Sequence, residues 1–305
     1  MKHLFIVNPA AGKKDSTPKL VAQIEALEGM DVEIRYTECA GDAEVITREA
    51  AQTGEPMRIY ACGGDGTLNE VVNGAAGWEH IAITNVAKGT GNDFLKIFGE
   101  GWKEGFTDLK ALAEGPQAAF DLIDCNGKLG IGVVCSGMDA RVAADVHYYK
   151  SLPLVSGIGA YILGLIRNVF KGIATPMKVE MGDYCYDGEV AVVVACSGRY
   201  YGGGFMPVGE AMPDDGVLDF LVIPKIGLLT FARLVGKYAK GKYKDYPQYI
   251  HSGHGDRLTI TSTVSNTAAV DGEVLHSKDF VFALSDKKVN FFWPAYLDYH
   301  IQSEG

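Results

Sequence analysis

The 305-residue sequence lacks a CxxC pair among its six cysteines, a signal-peptide cleavage pattern, and any internal repeat or low-complexity segment. No uncharged apolar stretch reaches the roughly 18 to 20 residues that a spanning helix needs, so no transmembrane segment is expected. Positive charge is also short. A formal net charge of -10 excludes a general nucleic-acid binder, because neutralising a phosphate backbone takes clustered Lys and Arg. Cys62, Cys135, Cys185 and Cys196 sit in apolar or aromatic surroundings and read as reduced core residues. The expected compartment is therefore cytoplasmic and reducing.

Well-known chemical fingerprints are missing too. A P-loop needs GxxxxGK[ST], but position 7 is Val and Lys13 is followed by Lys14. "GTGNDF" departs from GxGxxG at Phe94, and no GxSxG nucleophile elbow occurs. Acyl transfer has no support. "HSGH" (His251, His254) offers two imidazoles without an evident third ligand and reads as a loop.

What is present begins with composition: 47% hydrophobic and 22% charged residues, ordinary for a soluble globular chain of one large or two modest domains. "HLFIVNP" is a strand followed by the polar turn "AAGKKDSTPK", and Leu20, Val21, Ile24 and Leu27 then recur at helical spacing up to Gly29. "DVEIRYTE" alternates as a strand, and "DAEVITREAAQT" follows as a helix with Asp42 at its N-cap. "RIYACGG" into "GTLNEVVNGA", and "IAITNVAKGTGNDFLKIFG", each repeat strand, glycine-rich turn, helix. This alternation predicts a doubly wound parallel α/β domain over residues 1–122.

Near residue 120 the pattern changes. "EVAVVVACSG", "GVLDFLVIP", "DRLTITST" and "TAAVDGEVL" read as antiparallel strands. Helical insertions fall at about 152–171 and 228–240. An antiparallel β-sandwich over 123–287 is expected, with "KKVNFFWPAYL" opening a C-terminal return (about 288–305) to the first domain.

Three turns, "NPAAGKK", "CGGDGTLNE" and "AKGTGNDF", sit at strand C-termini, where open α/β sheets bind ligands. Each can present backbone N–H groups to an anion at the head of a helix, or is simply a tight βα turn. Asp65 cannot itself cradle phosphate, since two anions repel. It holds a metal-bound water, orients the loop, or accepts a proton. "MPDDGVLD" is either a hairpin turn or an oxygen-rich magnesium site. In "VDGE", Asp271 and Glu273 either face one side of a strand or flank a type I′ turn.

"NPAAGK", "TECAGDAE", "GGDGTLNEVVNG" and "KGTGNDF", in this order, resemble the diacylglycerol kinase catalytic family, which includes bacterial soluble lipid kinases and, more distantly, sphingosine and ceramide kinases. "GMDARV", "GGGFMPVGEAMPDDGVLDFLVI" and "VDGE" continue the match over nearly the whole chain. The resemblance implies a nucleotide-binding α/β domain followed by a β-sandwich, with the active site in the cleft between them. It implies ATP contacts from Thr37, from Gly63, Gly64, Asp65, Gly66, Thr67, Leu68 and Asn69, and from Thr90. Asn8, Gly12 and Lys13 would lie near the phosphates, with Lys13 either adding charge there or standing as a solvated loop lysine. It further implies Mg2+ at Asp215 with the carbonyls of Met212 and Val217, and Glu273 as proton acceptor supported by Asp271.

Between Lys225 and Lys244 lie six basic residues and no acidic one, with Leu228, Phe231, Leu234, Val235 and Tyr238 forming an apolar stripe. This stretch is either a surface helix docked by its apolar face or a contact with an anionic bilayer, and "LPLVSGIGAYILGLIRNVF" is a second candidate for membrane contact, as a lid over an acyl chain or a core helix. The expectation is an ATP- and magnesium-dependent kinase that meets its lipid at a membrane surface peripherally, with a homodimer left open. An NAD kinase-like or other small-metabolite kinase and a non-catalytic regulator are the alternatives.

Overall fold

The computed structural model describes residues 1–12, 16–88, 91–150, 164, 167–169 and 172–300. Lys13, Thr90 and nearly all of the expected 152–171 helix lie outside them. The chain divides into two compact units, Met1–Asp121 with Asp286–Gly305, and Leu122–Ser285.

The first unit runs β1 (Lys2–Val7), α1 (Thr17–Glu25), β2 (Asp31–Tyr36), α2 (Asp42–Gln52), β3 (Met57–Gly63), α3 (Asp65–Ala75), β4 (Ile81–Ala87), α4 (Trp102–Gly105) and α5 (Leu109–Glu114). The strands pair in parallel in the order β2-β1-β3-β4, and the returning chain adds Asn290 and Phe291 beside Ala82 and Ile83. β1, β3 and β4 are near-continuous apolar runs because both faces of the sheet are covered. β2 is the edge and carries charge, with Glu33 bridging Lys2 and Arg35.

Right-handed crossovers in this strand order send α1 to one face, and α2 and α3 together to the other. α2 and α3 pack closely: a Cβ at Gly74 would stand 2.6 Å from the Glu44 carbonyl oxygen, so only glycine fits. Their contact also corrects the expected N-cap. Gly41, at φ +92°, holds that position, and Asp42 turns back to accept the N–H groups of Glu38 (2.6 Å) and Cys39 (2.8 Å). The Ala43 N–H is taken instead by Glu70 of α3 at 3.0 Å.

The helix expected after "GTGND" is a five-residue 3-10 turn, Phe94–Phe98. Phe94, Leu95, Ile97 and Phe98 are all buried, and the tighter winding stacks them in two i,i+3 rows. Gly99 and Gly101, both at positive φ, end it. Phe94 and Phe98 join Phe106, Phe120, Phe291 and Tyr299 in one aromatic cluster, which anchors the returning C-terminal segment.

The second unit contains β5 (Gln117–Cys125, shared with the first), β6 (Lys128–Gly130), β7 (Val133–Gly137), α6 (Met138–Lys150), β8 (Thr175–Met181), β9 (Tyr184–Cys196), β10 (Leu218–Pro224), α7 (Leu228–Tyr238), β11 (His251–Gly255), β12 (Arg257–Thr261), β13 (Asn266–Val270), β14 (Glu273–Ser277) and β15 (Phe280–Phe292, shared). β9 belongs to two sheets. Its first half pairs with β8, which continues to β12 and β15; its second half lies between β7 and β10. Residues of both sheets, including Val193, Ala195, Phe220, Val179, Leu258 and Phe282, fill the space between them. Val192, Val194 and Cys196 alternate to the opposite face, beneath α6 and α7.

Two sequence expectations change here. "HSGH" is strand β11, with His254 opposite Asp219 and His251 opposite Val222, because it completes the β10 edge. Cys185 is exposed on the outward face of β9, while Cys125 joins the buried thiols; all six cysteines are free. Burial pushes the Cys135 and Cys196 thiols well above their ordinary range, as for inert core residues.

Candidate active site

In the first unit, the chain leaves β1 toward β2 on one side and leaves β3 toward β4 on the other. The carboxyl ends of β1 and β3 therefore flank the switch point of the sheet, where such folds open a crevice. The first two glycine turns start there. Asn8 follows β1: its Nδ2 donates to Thr67 Oγ1 at 3.1 Å, and its Oδ1 accepts the Ala10 N–H at 2.9 Å. The Asn8 N–H donates to the Cys62 carbonyl at 3.1 Å, and Thr37, at the end of β2, donates its N–H to Val7 at 3.0 Å. Gly12, at φ +92°, allows the first turn to fold back.

Gly63 and Gly64 carry the chain from β3 into α3. A methyl group on Gly63 would fall 2.3 Å from Thr67 Oγ1 and 2.6 Å from Thr67 Cβ, so the glycine is required for Thr67 to reach Asn8. Asp65, Gly66 and Thr67 head the helix, before its first bond from Leu68 N–H to Gly64. Leu68 and Asn69 are buried, and Asn69 is engaged with Asn73, so their side chains face the protein interior.

Asp65 has a visible structural task. Its Oδ1 accepts the Asp93 N–H at 2.7 Å, and its Oδ2 lies where a Cβ at Gly91 would be only 2.5 Å away. It ties the third turn to the second. Three residues not singled out from sequence complete the junction. Asn92 Nδ2 donates to the Gly63 carbonyl at 3.2 Å and to Asn85 Oδ1 at 3.0 Å. Asp93 accepts from Lys96. Lys88 Nζ spans to the Asn8 carbonyl at 3.2 Å and Thr17 Oγ1 at 2.6 Å. Their signal in the sequence is the set of polar side chains between and after the glycines of "KGTGNDF".

In the second unit, Asp271 and Gly272 are the two central residues of a hairpin, both at positive φ (+48° and +97°), with Val270 opposite Glu273. This is the type I′ alternative, and it corrects the strand reading: the two acidic side chains do not share a strand face. Asp271 turns inward to accept the N–H groups of Ile131 (2.7 Å), Gly132 (3.0 Å) and Val133 (2.9 Å). Glu273 is exposed at the start of β14. Asp271 thus fixes the turn that presents Glu273.

Asp215 lies in an exposed turn before β10, with Gly216 at φ +75° and the Val217 N–H donated to Asp215 Oδ1 at 3.1 Å. Nearby, burial together with Glu210 and Asp215 pushes the Asp219 carboxyl up to about 6. Hard oxygen donors crowded with negative charge fit a divalent cation such as Mg2+. Among the described residues no three His, Cys, Asp or Glu side chains converge on one point, so a cation here would draw on the Met212 and Val217 carbonyls beside Asp215.

The first unit matches the family model "Diacylglycerol kinase catalytic domain" over residues 2–125, and the second matches "YegS C-terminal NAD kinase beta sandwich-like domain" over 132–290. The class is thereby that of kinases built from an α/β domain and a β-sandwich. A protein of Bacillus subtilis named "Diacylglycerol kinase" is 26% identical over 88% of each chain. A protein of Pseudomonas aeruginosa named "Probable lipid kinase YegS-like" is 31% identical, covering 72% of this chain and 71% of its own. The crystal structure of a Bacillus anthracis diacylglycerol kinase superposes with a TM-score of 0.69 at 21% identity, covering 96% of each chain, which shows the shared fold. The chain belongs to the diacylglycerol kinase family of lipid kinases, with a YegS-type second domain.

Proposed function

We propose that this protein transfers the γ-phosphoryl group of ATP to the hydroxyl of a membrane lipid, with diacylglycerol as the leading acceptor and phosphatidic acid as product. The observation that carries the reading is the junction of the three turns at the strand ends, where Asn8, Thr67, Gly63, Asp65 and Asp93 are tied into one platform. Backbone N–H groups at the head of α3 and around Gly12 hold the phosphates, and Lys88 supplies positive charge. Phosphoryl transfer asks chiefly for positioning and charge neutralisation. The lipid hydroxyl oxygen forms the new O–P bond, ADP leaves with the old bridging oxygen, and the hydroxyl proton passes to the Glu273 carboxylate. Asp215 with the carbonyls of Met212 and Val217 would hold Mg2+, which supplies neutralisation of phosphate charge when bound. Asp65 acts by orienting the third turn.

One observation favours a second reading: the second domain's family model is described as NAD kinase-like. Incubation with γ-labelled ATP and separate samples of diacylglycerol, monoacylglycerol, sphingosine, ceramide, phosphatidylglycerol and NAD decides between them. Label in diacylglycerol supports the proposal; label in NAD alone overturns it.

A further inference from the structure

Within the second unit, one buried arginine grips the turn that carries Asp215. Arg199 lies three residues beyond the end of β9 and is 8% exposed. Its Nε donates to the Ala211 carbonyl at 2.9 Å, and its Nη2 lies 2.9 Å from Met212 Sδ. The guanidinium thus holds both the backbone and a side chain of the pair just ahead of Pro213. Proline disfavours helical backbone in the residue before it, which keeps Met212 extended. From the other side, Glu210 accepts from the Tyr243 hydroxyl and the Lys244 ammonium. Arg199 therefore takes the Ala211 carbonyl, and the carbonyl next in the chain is that of Met212.

The segment that carries Arg199 is itself anchored. Ser197 and Gly198 both donate their N–H groups to the Gly132 carbonyl, at 3.0 and 2.8 Å. The Gly132 N–H in turn donates to Asp271 Oδ1 at 3.0 Å, in the hairpin that presents Glu273. Gly132 thereby links that hairpin to the turn of Asp215, and Arg199 is the side chain that closes the link. Arginine suits the task because its donors lie in one rigid fork and can hold two partners at once, which a lysine ammonium on a flexible stem does not reproduce.

We propose that Arg199 is a positioning residue for divalent-cation binding: it fixes the Ala211–Met212 segment so that the Met212 carbonyl and Asp215 meet one cation at a set place relative to Glu273. The inference rests on the cation reading of the Asp215 turn, and it is testable without any phosphate transfer. The guanidinium's own positive charge opposes a second cation. Its contribution is therefore geometric, and geometry and charge predict opposite results when the arginine is replaced.

Mn2+ binding to the full chain, without nucleotide, is followed by electron paramagnetic resonance. Arg199→Lys keeps the charge and loses the fork, and should weaken Mn2+ about tenfold. Arg199→Gln removes the charge as well and should weaken Mn2+ too. Unchanged affinity in Arg199→Lys, or tighter binding in Arg199→Gln, overturns the proposal. Equal binding to the wild type and to Asp215→Asn places the cation elsewhere; the cation reading of the turn then fails, and the role of Arg199 with it. Transfer kinetics separate positioning from general damage. In Arg199→Lys the Mg2+ concentration for half-maximal transfer should rise by the same factor as the Mn2+ constant, with the rate at saturating Mg2+ within about twofold of wild type. A rate lowered equally at every Mg2+ concentration would contradict the proposal. Should the variants not fold, amide exchange of the unaltered protein with and without Mn2+ decides. Slower exchange at residues 197–199 as well as 211–217 supports the link, and slowing confined to 211–217 overturns it. If Mn2+ binds as described but no lipid accepts phosphate, the kinase reading fails and the positioning role stands.

Discussion

Replacing Asp271 with alanine strips three buried N–H groups, those of Ile131, Gly132 and Val133, of their common acceptor. Each such loss costs about 1–3 kcal/mol, with water reaching the exposed Gly272 side of the turn and holding the cost toward the low end. The alanine must also sit at φ +48°, which adds about 1 kcal/mol. The expected destabilisation is about 4 kcal/mol or more. Asp271→Asn keeps one acceptor oxygen and a side chain that tolerates left-handed backbone, so about 1–2 kcal/mol is expected. Urea unfolding of the two variants, followed by circular dichroism, gives both values. Phosphate transfer per folded molecule should fall only a few-fold in Asp271→Asn, because the carboxylate anchors the turn and does not touch the reacting atoms. The reasoning is refuted if Asp271→Ala unfolds at the wild-type urea midpoint, or if Asp271→Asn keeps full stability while losing activity a hundredfold.

Glu273→Ala should abolish phosphate transfer while ATP affinity, read by calorimetry, stays within about twofold, since the side chain is exposed. Asp65→Ala releases the Asp93 N–H and loosens the third turn; ATP affinity is expected to fall about tenfold, with about 1–3 kcal/mol of stability lost in thermal unfolding. Reversing Lys237 and Lys240 to Glu should weaken sedimentation with anionic vesicles at least thirtyfold, from about 1 kcal/mol per basic residue at the surface. Equal sedimentation of that double variant would remove this helix from membrane contact.

The α/β half was legible because each strand there is an apolar run closed by a glycine turn and followed by helical spacing. Periodicity could not reveal that Asp42 hands its N-cap place to Gly41, since the choice depends on Glu70 arriving from another helix. Nor could it distinguish the 3-10 turn at Phe94–Phe98 from an α-helix, because five residues span barely one turn of either. The sandwich was legible as a class but not as a topology. In β9 the pattern alternates over its first half and is wholly buried over its second, the mark of a strand passing from a half-covered sheet to one covered on both faces. The platform roles of Lys88, Asn92 and Asp93 are not legible in sequence because their bonds to Asn8, Gly63 and Asp65 span 28 to 80 residues, a separation no local motif encodes. Asp65 shows the reverse case: orienting the loop is one of its three readings, and its bond to the Asp93 N–H supports that one.

The central claim is that the turns around Gly63 form an ATP-phosphate platform, and ATP titration of the wild-type chain and Gly63→Ala by calorimetry tests it most directly. The added Cβ would lie 2.3 Å from Thr67 Oγ1, so Thr67 and its bond to Asn8 must shift while the second unit is untouched. The account predicts saturable one-site binding to the wild type and at least tenfold weaker binding to the variant. ATP binding that the methyl group leaves unchanged would contradict it.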